Sequence, residues 1–253
     1  MLPLHHSAVK TPTAASGQFI VVAVLIAALH DVHGNLAALD AVLREADGAD
    51  VIVIGGDVAS GPQPVEVLDR LAALGERVRW VMGNADRGVL DPPDSDDEAG
   101  RSDRFASALL QPHHCSLIAS FEPTVELDGI VFCHGTPRSD TEIVTRLTPE
   151  GRLDALAGDA RLVVGGHTHQ QFHRRRWVNS GSVGMPYEGR PGAYWAFVED
   201  GVPQLRRSDY EIDPDAIRAT GYPDAESWLD ESFLDPVDPD YVTRLFEDRN
   251  NPG

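Results

Sequence analysis

The sequence predicts an α/β protein with two mixed β-sheets flanked by helices, and three observations carry that reading. Short aliphatic runs alternate with segments of helical period through the first third of the chain. Later runs of β-branched and aromatic residues are joined by Asp-Gly pairs, the signal of hairpins. Five polar segments each stand directly after an aliphatic run, where a strand would end: DVHGN at 31–35, GGD at 55–57, GNAD at 83–86, CHG at 133–135 and GGHTH at 165–169.

The apolar run at 19–29 reads as the first core strand. It is too short to span a bilayer, and the residues before it hold one lysine and no arginine, unlike a signal peptide. Residues 1–18 then form a disordered leader. A helix over 36–46 follows, then a strand at 51–54, a helix over 65–74 and a third strand at 78–81. This βαβαβ order implies a parallel sheet with crossover helices, and ligands gather outside the carboxyl ends of such strands. The stretch 91–104, rich in turn formers and charge, reads as an exposed loop, followed by a short helix over 105–110. Strands at 124–127 and 130–133 flank Asp128-Gly129. A helix reaches 157 with Thr148 as N-cap and Pro149 at its first position. The strand at 162–164 delivers GGHTH. Strands at 177–179, 193–198 and 202–206 are expected to pair antiparallel as a second sheet, and the arginine run 174–176 to lie on a solvated strand. Beyond 210 the chain turns acidic and Pro-rich, with short helices near 214–219 and 225–229. The expected organisation is a leader at 1–18, a main domain at 19–210 and a helical or irregular extension at 211–253 packed on it.

A hydrophobic fraction of 42% suffices for a sizeable core, and the formal net charge of −19 argues against a sequence-independent grip on nucleic acid. A small phosphoester remains compatible, because bound metals reverse the local field. Two cysteines, Cys115 and Cys133, offer no disulfide framework, so a reducing cytoplasm is the expected compartment.

The five segments place Asp31, His33, Asp57, Asn84, His134, His167 and His169 at strand ends. In an extended segment residues i and i+2 point the same way, so Asp31 and His33 can share an ion, and His167 and His169 can serve neighbouring ones. Mixed N/O donors suit Mn, Fe, Zn, Co or Ni better than Ca or Mg. Two aspartates leave a pair of divalent ions with enough positive charge to attract a phosphate.

In order and spacing these segments resemble the calcineurin-like metallophosphoesterases, over roughly residues 21–210. The resemblance implies a four-layer αββα sandwich and two divalent ions, Mn first among them, with Fe, Zn, Ni, Co or Mg as alternatives. It implies that Asp31, His33, Asp57 and His169 hold one ion and Asp57, Asn84, His134 and His167 the other, with Asp57 bridging. Asn84 would also face the phosphoryl oxygens, so Asn84, Asp57 and His134 are the expected catalytic residues. A hydroxide bridging the ions would attack the phosphorus of a small phosphodiester or monoester.

The chain departs from the family at one telling place. Many members read GNH at the third motif, whose histidine is thought to give a proton to the leaving alcohol. Here Ala85 stands in that position, which points toward diester cleavage. Asp86 is expected to contact His33 or His134. Arg138 and Arg190 are candidate substrate contacts, since guanidinium matches phosphate oxygens, with surface salt bridges as the competing reading. Ser180-Gly181-Ser182 reads as a turn shaping the pocket floor, and His30 as supporting or rimming the site. His5, His6, His113, His114 and His173 are given no role. A protein phosphatase and a non-catalytic metal-binding scaffold are the alternatives.

Overall fold

The computed structural model describes residues 24–250; the expected leader at 1–18 and the first residues of the expected strand lie outside them. The first strand, β1 (Leu25–Leu29), leads through the Asp31 loop to α1 (Leu36–Glu45), β2 (Val51–Ile54), α2 (Pro64–Ala72) and β3 (Val78–Trp80). Three helices follow: α3 (Asn84–Leu90), α4 (Glu98–Leu109) and α5 (Pro112–Ile118). The hairpin β4 (Thr124–Leu127) and β5 (Ile130–Cys133) turns at Asp128 and Gly129, both in the left-handed region, as its Asp-Gly pair requires. Then come α6 (Glu150–Ala157), β6 (Leu162–Gly165), β7 (Phe172–Arg174), β8 (Trp177–Asn179), β9 (Ala193–Glu199) and β10 (Val202–Ser208). The chain ends in α7 (Pro214–Ala219), α8 (Ala225–Leu229) and α9 (Pro239–Asn250).

Two five-stranded mixed sheets result, in the orders β10-β9-β1-β2-β3 and β4-β5-β6-β8-β7. Alternation along each strand explains why they stack. In β1, Ile26 and Ala28 face the second sheet, where they join Val53, Phe132, Val164 and Val178 in one buried cluster. Ala27 and Leu29 point the other way, into a cluster with Leu39 and Val42 of α1 and Val67, Leu68 and Leu71 of α2. On the outer face of the second sheet, Val163 and Trp177 pack against Leu153 and Leu156 of α6. Helix, sheet, sheet and helix give the four-layer αββα sandwich.

Several local expectations are corrected. The β9-β10 hairpin joins the first sheet, with β9 antiparallel to β1, while 177–179 lies in the second sheet parallel to β6. Both faces of β9 are buried, so its residues carry no pattern that names the partner. The stretch 91–104 is loop only as far as Asp97, whose carboxylate caps α4 by accepting from Gly100 N at 2.9 Å. That helix buries Gly100, Ser102, Asp103 and Ala106, small and polar residues that leave no apolar period in the sequence. Helix α6 begins one residue later than expected: Thr148 Oγ1 accepts from Thr145 N instead of capping, and Pro149 holds the cap position. In the arginine run, Arg174 ends β7 and donates to the carbonyls of Arg146 and Thr148, while Arg175 turns the hairpin with a φ of 56°. The segment after 210 packs back on the sandwich, with Trp228, Leu229 and Tyr222 against Phe105 of α4 and Met185. Among the described residues no helix is long and apolar enough to cross a membrane.

Candidate metal centre

Each candidate ligand sits just beyond a strand. β1 leads to Asp31 and His33, β2 to Asp57, β3 to Asn84 at the start of α3, β5 to His134, and β6 to His167 and His169. The loops are stitched to one another by backbone hydrogen bonds: Asp31 N to Gly56 O and His33 N to Asp57 O at 3.0 Å, and Gly166 N to His134 O at 2.8 Å. Asp31, His33, Asp57, His167 and His169 all have φ between 45° and 66°. The Asp31–His33 and His167–His169 pairs are therefore not extended, and their shared direction comes from two left-handed residues, a conformation that costs roughly 1–3 kcal/mol each. Close approach of the loops also needs glycine: a Cβ on Gly83 would stand 2.2 Å from Asp57 Oδ1, and one on Gly166 2.5 Å from Asp31 Oδ2.

Two sets of donors result. In Asp31, His33 and His169, and again in Asp57, His134 and His167, one ligand atom from each residue lies within 4.8 Å of the others. Asp57 Oδ2 stands between the sets, 3.2 Å from His134 Nε2 and 3.8 Å from His33 Nε2. Asn84 Oδ1 is 3.1 Å from His134 Nε2. Backbone carbonyls orient three of the rings: His33 Nδ1 faces Ser60 O at 2.9 Å, His134 Nδ1 faces Gly55 O at 2.9 Å, and His169 Nδ1 faces Met185 O at 2.6 Å. Each Nδ1 donates, which turns the Nε2 lone pairs inward. His33 Nε2 and His169 Nε2 then face each other at 3.2 Å, and Asp31 Oδ1, fully buried, has no hydrogen-bond partner. Converging lone pairs and an orphaned carboxylate oxygen fit divalent cations and fit little else.

The electrostatics of the bare side chains express the same convergence. Burial alone would lower the pKa of His134, but the Asp57 and Asp31 carboxylates push it up to about 10. Burial likewise raises Asp57, and His134 outweighs it, bringing Asp57 down to about 2. Asp31, against its burial, is held well below the carboxylate range by His169 and His134. His167, desolvated and beside His134, falls to about 4.

Supporting residues fix this geometry. Asp86 does not reach His33 or His134; its carboxylate accepts from Asp57 N, Val58 N and Gly83 N at 2.8–3.0 Å, tying two of the motifs together. Burial, then the Asp57 charge, raises its pKa to about 7. His30 is fully buried, with Nε2 donating to Cys133 O at 3.1 Å and Nδ1 accepting from Ser180 Oγ at 2.7 Å. Ser182 Oγ donates to Asp31 O at 2.8 Å, and Asn179 Nδ2 donates to Gly166 O and Thr168 Oγ1, so the 179–182 segment braces two ligand loops.

The sequence pattern of the calcineurin-like phosphoesterase superfamily domain matches residues 24–200. The chain belongs to that family. Among solved structures, a metallophosphoesterase from Sphaerobacter thermophilus is 25% identical with a TM-score of 0.66, covering 88% of this chain and 98% of its own. A hypothetical protein from Pyrococcus horikoshii, 17% identical over 82% of this chain and 96% of its own, reaches 0.72 and shares the fold. An uncharacterized protein of Methanocaldococcus jannaschii is 25% identical over 74% of this chain and 88% of its own. A symmetrical bis(5'-nucleosyl)-tetraphosphatase of an Enterobacter species is 32% identical, and the match spans 44% of each chain.

In this phosphoesterase the donor sets open into a cavity of about 570 Å³. His33, Asp57, Asn84, Ala85, His167 and His169 form one part of its wall, and Met185, Tyr187, Tyr222, Phe246 and Arg249 another. Arg138 and Arg190 do not line it. Arg138 is 70% exposed and paired with Glu142, and Arg190 is exposed, with its carbonyl accepting from Tyr194 Oη. The guanidinium in the wall is Arg249, which no strand-end motif marks; its one sequence signal is the i, i+3 spacing from Phe246 on a single helix face. A third grouping, Asp69, His113 and His114, lies elsewhere. There His114 Nδ1 accepts from Gln111 N and Nε2 faces Asp69 Oδ1 at 3.1 Å, so the ring has no lone pair left for a metal and serves as a helix cap.

Proposed function

We propose that the chain is a dinuclear-metal phosphoesterase acting on small phosphodiesters or phosphomonoesters. The observation that carries the proposal is the pair of adjacent donor sets with Asp57 Oδ2 between them, inward imidazole lone pairs and an unpartnered Asp31 oxygen. Asp31, His33, Asp57 and His169 would hold one ion, and Asp57, Asn84, His134 and His167 the other. When bound, such ions supply an activated hydroxide and positive charge for the phosphoryl oxygens. The chain does the rest. The carbonyls of Ser60, Gly55 and Met185 fix the imidazole tautomers. Asp86 fixes the Asp57 loop, and Ala85 N, donating to Asp57 Oδ1 at 2.8 Å, holds the carboxylate with Oδ2 turned toward His33 and His134. Asn84 presents its amide to the cavity beside His134, where it can orient a phosphoryl oxygen.

Ala85 lines the cavity where other members carry a proton-donating histidine, which favours diesters with good leaving groups over monoesters of poor ones. The tetraphosphatase relatives match too little of either chain to set the substrate. Two free thiols, Cys133 buried and Cys115 half-buried, suit the reducing cytoplasm we propose as the compartment.

The test is turnover of bis(p-nitrophenyl) phosphate beside p-nitrophenyl phosphate by protein reconstituted with Mn, Ni, Co, Zn or Mg. Asp57→Asn should abolish cleavage and lower the metal content below two per chain by mass spectrometry. Full activity in that variant would sink the dinuclear reading.

A further inference from the structure

Part of the cavity wall is built by residues that the family pattern does not reach. Tyr222, Phe246 and Arg249 follow residue 200, and the last two come from one face of α9. Helix α9 is fastened to the ligand loop itself. Gln170, next to His169, accepts from Thr243 Oγ1 at 2.7 Å and donates to Pro239 O at 2.7 Å, while Arg146 pairs with Asp240 and Thr145 with Glu247. Anchored this way, the Phe246 ring stands 6.4 Å from the His167 ring, and the Arg249 guanidinium lies 5.9 Å from the Phe246 centroid. On the other donor set Tyr187 stacks on His169, with ring centroids 4.8 Å apart and planes at 20°. An aromatic face thus flanks each set. Arg249 is the one lysine or arginine among the described residues lining the cavity. Asp97 and Glu98 line another stretch of the wall.

These placements specify a ligand. A phosphoryl group held between the donor sets would have a flat hydrophobic surface beside it at Phe246, and a single cationic contact beyond that. The acidic stretch at Asp97 and Glu98 repels a polyanion and accepts hydrogen bonds from hydroxyls. A volume of about 570 Å³ accommodates a molecule of nucleotide size.

Resting on the phosphoesterase reading, we infer that α9 is the specificity element of the site. It selects a nucleotide-sized phosphoester in which an aromatic base stacks on Phe246 and one further phosphate pairs with Arg249. Hydrolysis adds water across the ester P–O bond, releasing the alcohol and leaving the nucleoside phosphate.

Three chromogenic diesters with the same leaving group test this with the Mn-loaded protein. They are methyl p-nitrophenyl phosphate, thymidine 5′-(p-nitrophenyl phosphate), and the latter bearing a 3′-phosphate. Base stacking should favour the nucleoside over the methyl diester by about tenfold in kcat/KM. The 3′-phosphate should add about tenfold more through a charge-assisted contact. Phe246→Ala should collapse the first preference and Arg249→Ala the second, with Arg249→Lys keeping part of it. Arg244→Ala, exposed on the same helix and outside the cavity wall, controls for damage to α9. Calorimetric binding of the product, thymidine 3′,5′-bisphosphate, is an independent readout and should weaken about tenfold in Arg249→Ala. Preferences and product affinity shared by wild type and both cavity variants would overturn the inference. Silence toward all three esters, with product binding still sensitive to Arg249, would overturn the hydrolase reading and leave the ligand class standing.

Discussion

At residue 85 a methyl group lines the cavity, so in the proposed reaction the leaving oxygen would depart without a proton from that side. Loss of a general acid costs about 10²–10⁴-fold, most for poor leaving groups. Ala85→His should therefore raise turnover of an alkyl phosphomonoester by at least about tenfold, a fraction of that range. An unchanged rate would show that a proton reaches the leaving group from another residue. Arg138 belongs to a different balance. Its guanidinium, helped by Thr136 and Arg152, lowers the Glu142 pKa to about 2. A depressed carboxylate pKa contributes stability above the unfolded value, which is lost as pH falls through the folded one. Because Arg138 is mostly exposed, solvent screens the pair, and Arg138→Ala should lower the melting temperature only slightly at neutral pH. The gap to wild type should close between about pH 4.5 and pH 2, read from melting temperatures. The candidate ligands were legible because each follows an aliphatic run, so the sequence places them at strand ends before any contact is known. Phe246 and Arg249 had no such signal. Their role depends on where α9 docks, and that is decided by Thr243, Gln170 and Arg146, distant in sequence from one another.

Among elements, α1 couples the fold to the site through one side chain. Asn35, the last residue of DVHGN, caps α1 by accepting from Ala38 N at 3.1 Å, and donates to Gly184 O and Tyr210 Oη at 3.0 and 2.9 Å. It is fully buried, so each lost partner leaves an unsatisfied group. Asn35→Ala should destabilise by about 2–3 kcal/mol, combining a lost cap with a stranded carbonyl. A denaturation midpoint within error of wild type would show that water replaces the amide. The elements themselves were largely readable: β2, β3, the Asp-Gly hairpin, β6, α7 and α8 lie close to their expected bounds, and β1 ends where expected. Their assembly is less legible in the sequence. A strand buried on both faces, such as β9, looks the same beside β1 as beside β8, because pairing is set by contacts remote in sequence. Helix α4 was hidden because it packs with Gly100, Ser102 and Ala106 against its neighbours, where tight approach demands small side chains.

The whole molecule stores at its centre what a metal would release. Five candidate ligands hold left-handed backbones, two carboxylates and four imidazoles crowd two adjacent donor sets, and the chain carries a formal charge of −19. Each of these opposes folding, and cations that bound the folded state alone would offset the cost. A ligand at one hundred times its dissociation constant adds about 2.7 kcal/mol per site. In a chain of this size 1 kcal/mol moves the melting temperature by about 2–4 °C. Two occupied sites should therefore raise it by about 10–20 °C over the chelated protein at that saturation. Imidazole-rich donors favour Mn, Co, Ni and Zn over Mg, so those ions should give the larger shift at equal free concentration. With Asp57 serving both ions, as proposed, Asp57→Asn would weaken both sites through one side chain, and its metal-induced shift should fall to less than half that of the wild type. A single aspartate that cost only one site's worth of stabilisation would argue that the ions are held separately, with Asp57 serving one of them. Equal shifts with all metals, or none with any, would place the stability of this centre in its hydrogen bonds instead.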